Sequence, residues 1–452
     1  MYFRSTKIIA TLGPACSSKA ILKKMVESGA SAFRINTAHG SFAEYSALVS
    51  TVRSVSKEIP IIVDLKGPQV RLKTKATLKL NKGDEISIGF SPKSDLYFSM
   101  DFYSRLNPGM RVLFEDGKYD SKIIEKNNNK IKVRFSANAV LENNKGVNIP
   151  GSDLKLPFLS QKDLQVIKWA KKKSLSFFAL SFAQNAEDLK KLRKKVGKNS
   201  ILIAKIESKT GVKNFSEILK ECEGVMIARG DLGAEVSPES IPLLQKVLVK
   251  EAVNSGKFSI VATQMLESMI KNRYPTRAEV SDIANSVLDG ADCLMLSGET
   301  SIGVDPVGAV HEMRSACEAV EQEVPNLVQM DFQNHVSDSV TKSVYQLTNY
   351  LHVNAIVAYS RSGFTAQMIS RFRTKVPIIG LCWSTLTYKL LLLHFGVFPL
   401  LISKTHGVSS KQSLNLVKKK FNFKKGDTVI ITGNIHSLQK QHSNLIEVQK
   451  FA

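Results

Sequence analysis

The feature that most limits what this chain can fold into is a rhythm of eight short apolar runs, each followed by an amphipathic stretch. The runs are Lys7–Gly13, Ala32–Ala38, Pro60–Leu65, Phe177–Phe182, Ile201–Glu207, Gly224–Ala228, Phe258–Gln264 and Asp292–Leu296. Runs of this length suit buried parallel strands, and the intervening stretches suit helices that cover such a sheet. Eight such units are what a (β/α)8 TIM barrel requires. A long interruption separates the third and fourth runs. Its texture is different, with alternating segments at Thr77–Leu80, Glu85–Gly89 and Lys130–Phe135 and turns at Asn81–Gly83 and Asn127–Asn129. It reads as a small β-barrel domain inserted in a βα loop. After the eighth run, a helical stretch around Val307–Gln322 leads through Pro325 and a polar crossing near Asp331–Ser337. A second α/β pattern follows, with strands expected at Ala355–Tyr359, Pro377–Leu381, Phe398–Ile402 and Thr428–Ile431. The expected organisation is a barrel in two parts (1–68 and 157–330), an inserted β domain (69–156) and a C-terminal α/β domain (331–452). The 452 residues agree with about three domains of ~150 residues each.

Composition removes several classes. Hydrophobic content of 43% and charged content of 23% are ordinary for a globular chain and exclude wholesale disorder, collagen and coiled coil. The longest apolar stretch, Leu390–Ile402, is broken by His394, Gly396 and Pro399 and falls short of the ~20 residues a membrane helix needs. No charged n-region followed by an apolar h-region opens the chain, so secretion is not expected. Cys16, Cys222, Cys293, Cys317 and Cys382 lack CxxC spacing. A reducing, cytoplasmic location is therefore expected, without zinc or disulfides. The charge of +23 would draw polyanions. Its lysines are dispersed, however, in groups such as Lys171–Lys173, Lys194–Lys195 and Lys418–Lys420. No run is interleaved with stacking aromatics, so solvated helix faces are expected and a nucleic-acid partner is not. Small acidic substrates would be attracted too. GxxxxGK[ST], HExxH and GxSxG are all missing, which removes the P-loop, zinc-protease and common hydrolase readings.

A barrel carries its chemistry at the C-terminal ends of its strands. The second run supplies Arg34, Asn36 and His39, with Arg34 and Asn36 sharing a face because strand side chains alternate. The third ends in Asp64 and Lys66, and Arg71 follows; the fourth ends in Ser181-Phe182-Ala183-Gln184. Lys205 and Glu207 close the fifth, again on one face, and Ala228-Arg229-Gly230-Asp231 closes the sixth. Thr263 and Gln264 close the seventh, and Ser297-Gly298-Glu299-Thr300 the eighth. Taken singly, Lys205 with Glu207 is open to a plain surface ion pair, and Gly230 to a simple turn. Together these ends form one polar constellation with carboxylates for a divalent metal and cations for a phosphorylated anion. The amides of Gly230 and Asp231 can form an anion-binding nest.

Six ordered segments carry a resemblance. They are "TLGPA" (Thr11–Ala15), "DLKGPQVR" (Asp64–Arg71), "GVNIPG" (Gly146–Gly151), "AKIES" (Ala204–Ser208), "IARGDLGAE" (Ile227–Glu235) and the long stretch Ala262–Gly303. In these segments the chain closely resembles the pyruvate kinase family. The resemblance implies magnesium-dependent phosphoryl transfer from phosphoenolpyruvate to ADP, giving pyruvate and ATP in glycolysis. It implies that Glu207 and Asp231 hold magnesium, or manganese in its place. Lys205 would stabilise the phosphoryl group in flight and the enolate, and Arg34 would clamp the phosphate. Gly230, Asp231 and Thr263 would take the substrate carboxylate. Thr263 and Ser297 would lie on the route by which the enolate is protonated. Asn36, His39 and Arg71 would contact nucleotide phosphates, the inserted domain would close as a lid, and four copies would form a homotetramer. Two other readings are disfavoured: a metal-dependent barrel enzyme doing carbon–carbon chemistry on pyruvate or phosphoenolpyruvate, by the lid insertion and the Arg34–His39 strand, and a basic polyanion-binding pseudoenzyme, by the presence of Lys205, Glu207, Asp231 and Thr263.

Departures from the family pattern carry information. A monovalent cation site would use Asn36, Asp64 and the backbone of Leu65, but Ala38 stands where a Ser ligand is usual. Leu65, Gln69 and Leu72 replace Thr, Glu and Thr. One ligand and one negative charge are lost, so potassium is expected to be dispensable. Gln184 stands where many relatives have Arg. Ser360, Arg361, Ser362, Gly363 and Thr365 occupy the place of a sugar-phosphate effector loop; an N-capping turn using Ser362 or Thr365 is the alternative. Beyond Gly433, "NIHSLQKQHSN" replaces the usual Gly-rich loop.

Overall fold

A computed structural model describes residues 3–451 apart from 68, 116, 153, 155–156, 326–335, 404–410 and 435–442. Eight parallel strands close a barrel. In chain order they are Lys7–Thr11, Ala30–Asn36, Ile61–Leu65, Phe177–Leu180, Ile201–Ile206, Gly224–Ala228, Phe258–Ala262 and Cys293–Leu296. Each pairs with its neighbours in sequence, and the first also pairs with the last, Lys7 opposite Cys293. All eight apolar runs are thus barrel strands. Two kinds of buried side chain explain their near-continuous hydrophobicity. Ile9, Ile62, Phe177, Ile203, Met226 and Phe258 fill the interior, while Ile8, Phe33, Val63, Leu202 and Val261 pack outward against the helices. Gly224 is required here because a Cβ at that position would lie 2.3 Å from the Phe258 ring.

Capping boxes begin several covering helices, at Ser41 with Glu44, Ser160 with Asp163 and Thr276 with Glu279. Asp163 also accepts the Lys66 amide at 2.9 Å, which ties the helix start to the loop leaving the third strand. The lysine groups find a local explanation. Lys171 and Lys172, Lys194 and Lys195, and Lys418–Lys420 all lie in the last turns of their helices. Cations there complement the helix dipole.

Between the third and fourth barrel strands, the insertion forms a seven-stranded sheet and a separate two-stranded one. Asn128 and Asn129, at φ of 49° and 56°, make the two-residue turn joining Tyr119–Asn127 to Lys130–Phe135. That left-handed pair is what a tight hairpin demands. The C-terminal region forms a five-stranded sheet in the order Val397–Leu401, Ile378–Cys382, Ala355–Tyr359, Thr428–Gly433, Leu445–Lys450. Four of its strands were expected. The fifth is the antiparallel edge strand Leu445–Lys450, whose half-buried alternation gives a weak signal. Most of the crossing near Asp331–Ser337, and most of the "NIHSLQKQHSN" segment, lie outside the described residues.

The C-terminal region plugs the bottom of the barrel. Leu390 and Leu393 join the interior cluster, and Asp292 accepts the Phe395 amide (2.9 Å) and Arg373 Nη2 (3.0 Å). The polar strand ends lie at the opposite, C-terminal end of the barrel from this floor. No helix among the described residues is long and apolar enough to cross a membrane.

Candidate active site

At the mouth of the barrel, five neighbouring strand ends form one polar cluster. Arg34 Nε donates to Asp64 Oδ2 at 2.7 Å, and Arg34 Nη1 to Thr11 Oγ1 at 3.1 Å. The other Asp64 oxygen faces Lys205 Nζ at 3.2 Å. Lys205 also reaches Glu207 Oε1 at 2.9 Å and donates to Ser181 Oγ at 2.7 Å. The Phe182 amide donates to Glu207 Oε2 at 2.7 Å. All of these side chains are buried. Burial by itself works against the Lys205 charge, but Asp64 and Glu207 outweigh it, and the pKa stands above the ordinary lysine value. Burial likewise works against the Asp64 carboxylate, and Lys205 and Arg34 prevail, holding its pKa below the usual range. Asp231 adds a third negative charge near Lys205. Three carboxylates against two cations leave a net negative mouth, suited to one further cation.

The sixth and seventh strand ends join this cluster through their backbone. Asp231 lies on the short helix Arg229–Glu235, which starts directly after its strand. The Gly230 amide donates to Thr263 Oγ1 at 2.8 Å, and that hydroxyl donates to the Ala262 carbonyl at 2.6 Å. Thr263 and Gln264 hold φ of 71° and 55°, conformations costly for residues with a Cβ. Buried Arg229 supports them, with Nη2 donating to the carbonyls of Thr263 (2.7 Å) and Gln264 (3.2 Å) and Nη1 to Asp282 (2.8 Å). Glu299 ties the eighth strand to the seventh, accepting the Leu266 amide at 3.1 Å and the Ser297 amide at 2.6 Å.

Arg34, Asp64, Lys205, Glu207 and Asp231 therefore converge, with Gly230, Thr263 and Ser297 on adjacent strand ends. Asn36, His39 and Arg71 make none of these contacts, although Asn36 lies opposite Asp64 in the strand register. Asn36 Oδ1 accepts the Ala38 amide at 3.1 Å, and His39 is exposed while its carbonyl receives the Tyr45 hydroxyl. Arg71, on the edge of the inserted domain, donates to Asn144 O at 2.6 Å and Gln69 Oε1 at 2.5 Å. The effector-loop candidates lie far along the chain, in the C-terminal region. There the Ser360 hydroxyl accepts the Thr365 amide at 3.1 Å, and Thr365 Oγ1 is 2.9 Å from Ser443 Oγ. The helix Phe364–Ser370 is capped by Gly363 in the left-handed region with no side-chain cap. Neither Ser362 nor Thr365 is its N-cap. Ser181, Thr11, Arg229 and Glu299 had no role in the sequence reading. Each sits at a strand end, and that position was the signal available for them.

Two family models match the chain: pyruvate kinase, barrel domain, over residues 3–310, and pyruvate kinase, alpha/beta domain, over residues 338–449. The chain belongs to the pyruvate kinase family. It is 36% identical over 434 residues to a pyruvate kinase of Thermoplasma acidophilum, covering 94% of this chain and 79% of that protein. A pyruvate kinase of Dictyostelium discoideum is 35% identical over 464 residues, covering 96% and 92%. One of Sporosarcina psychrophila is 34% identical over 476 residues, covering 98% and 80%. The fold, enzyme class and reaction of this chain are those of the pyruvate kinase family, whose members use a divalent metal.

Proposed function

We propose that the Arg34–Asp64–Lys205–Glu207 cluster, with Asp231, Gly230, Thr263 and Ser297, carries phosphoryl transfer between phosphoenolpyruvate and ADP. The observation that carries this reading is the position of Lys205 Nζ, held within 3.2 Å of Asp64, Glu207 and Ser181 at the mouth of a plugged barrel. Among the described residues, no group of three or more His, Cys, Asp or Glu side chains could hold a metal unaided. Magnesium does not need one, since it takes one or two carboxylates with substrate oxygens and water. Glu207 and Asp231 fit that role. A metal bound there would supply positive charge to the phosphoryl oxygens and the enolate.

The residues of the chain do the rest. Arg34, steered by Asp64 and Thr11, clamps the phosphate. Lys205 stays charged because carboxylates surround it, and it offsets the negative charge that builds on the phosphoryl group as it moves. The bond from phosphorus to the enol oxygen breaks, and one to a terminal oxygen of ADP forms. The resulting enolate takes a proton from solvent at its terminal carbon, along the side where Thr263 and Ser297 lie. Gly230, Asp231 and Thr263 position the carboxylate. Asn36, His39 and Arg71 address the nucleotide. The inserted domain, 69–156, serves as a lid excluding water, which competes as an acceptor. Residues 331–452 form the C-terminal domain, and the assembly is a cytoplasmic homotetramer, as the family resemblance suggests.

Potassium is dispensable in this proposal. Ala38 supplies no hydroxyl ligand beside Asn36 and Asp64, and Leu65 and Gln69 stand where a hydroxyl and a carboxylate are usual. The test measures pyruvate formation from phosphoenolpyruvate and ADP with magnesium, in potassium or in a bulky organic cation. Comparable rates in both are expected. Activity only with potassium would remove the cation claim, and no activity in either would remove the catalytic one.

A further inference from the structure

Glu235 ends the helix Arg229–Glu235, four residues beyond Asp231 and therefore on the same helical face. Its carboxylate faces the Gly151 amide and the Asn148 side chain as donors. Both donors belong to the inserted domain. The three residues line a solvent-open crevice between insertion and barrel, which Phe182 and Gln184 also border. A second loop of the insertion meets the same helix end. Gly117, at φ of 91°, is placed so that a Cβ on it would lie 3.8 Å from the Ala234 Cβ. Two separate loops of the insertion thus approach the last turn of the helix whose first turn carries Gly230 and Asp231.

We propose that Glu235 is a positioning residue, the barrel-side catch through which the closing inserted domain sets the Asp231 helix. As the crevice narrows, the Glu235 carboxylate tightens on the Gly151 amide and the Asn148 side chain. The load passes one helical turn to Asp231 and to the Gly230 amide, which is already paired with Thr263. Closure of the insertion and alignment of the metal carboxylate then become one event. A catch of one carboxylate and two donors suits this purpose because it can tighten and loosen on every turnover. Nothing in the chemistry assigned above uses Glu235, and the inference rests on reading the insertion as a lid.

The test uses the full chain and the variants Glu235→Ala, Glu235→Gln, Asn148→Ala and the double Glu235→Ala/Asn148→Ala. Hydrogen exchange of peptides spanning 146–152 and 229–236 is read first, with magnesium and phosphoenolpyruvate present. Asn148→Ala, a change in the insertion alone, is expected to speed exchange in the 229–236 helix. Steady-state assays follow. Each alanine variant is expected to raise the magnesium concentration for half-maximal rate about tenfold, as loss of a hydrogen bond to a charged group would. The double variant should be no worse than either single one. Glu235→Gln retains an acceptor and should recover most of the loss. Unchanged exchange in 229–236 on Asn148→Ala, or additive kinetic effects, would overturn the proposal. The exchange measurement does not depend on turnover, so an inactive wild-type chain would defeat the catalytic reading while this inference is still decided.

Discussion

At the scale of the residue, the Lys205 ammonium shows how opposing terms resolve. Desolvation favours the neutral amine, while Asp64 and Glu207 at 3.2 Å and 2.9 Å favour the cation and win. The raised lysine contributes stability that is complete below its ordinary value of 10.5 and is lost as pH rises through the raised one. The depressed Asp64 contributes stability that is complete above its ordinary 3.8 and is lost as pH falls through the lower value. Between those limits the cluster is intact. Lys205→Met leaves Glu207 buried without its cation and Asp64 with Arg34 alone. It should destabilise by about 3–5 kcal/mol near neutral pH, a deficit that shrinks as pH falls and the carboxylates take up protons, both visible in thermal melts across pH. Under conditions where the variant is folded by circular dichroism, kcat should fall by at least ~10²–10³, the usual loss for one preorganised transition-state donor.

At the scale of the element, the turn ending the seventh strand is held from outside. Thr263 and Gln264 adopt left-handed backbone, at a cost of about 1–3 kcal/mol each, and Arg229 donates to both carbonyls. Arg229 comes from the sixth strand end, so two neighbouring βα units share one brace. Arg229→Met should let the turn relax, moving the Thr263 hydroxyl away from the Gly230 amide. The expected result is a rise of about tenfold in KM for phosphoenolpyruvate, about 1.4 kcal/mol, with a smaller change in kcat. Asp282 is partly exposed and can rehydrate, so the stability loss should stay near 1–3 kcal/mol. A kcat collapse at unchanged KM would show that Arg229 acts on the chemistry instead.

At the scale of the whole molecule, the junction between barrel floor and C-terminal region contains a buried lysine. Lys7 Nζ donates to the carbonyls of Val397 (2.9 Å) and Arg4 (3.1 Å) and sits 4.3 Å from the Phe398 ring centroid. Burial lowers its pKa to about 7, helped by Arg314 and opposed by Glu321, Cys293 and Asp292. The sign follows from proton counting. Between pH 7 and 10.5 the unfolded chain binds the proton more readily than the folded one, so stability rises with pH, by up to about 1.4 kcal/mol per unit. Thermal melts from pH 7 to 9.5 should show this slope in the wild type and a markedly smaller one in Lys7→Met. Equal slopes would mean that Lys7 is charged in the fold.

The residue order alone was enough to determine the eight-stranded barrel, because a strand buried on both faces needs a continuous apolar run and such runs are local. It was likewise enough for the strand-end residues Arg34, Asp64, Lys205, Glu207 and Asp231, since strand ends follow directly from the runs. The Asn128–Asn129 hairpin was legible for the same reason: its turn chemistry lies within a few residues. The edge strand Leu445–Lys450 was not, because half-burial on a sheet edge depends on a neighbour, Thr428–Gly433, that only the fold supplies. Nor could the order show that Arg229 braces Thr263, that Ser181 completes the Lys205 cage, or that Gly363 caps its helix without a side chain. Those are contacts across strands or backbone angles, fixed by barrel closure and by the packing of the insertion and C-terminal region against it. Which residues could act was local information; which of them meet, at what distance and in what charge state, only the tertiary structure decided.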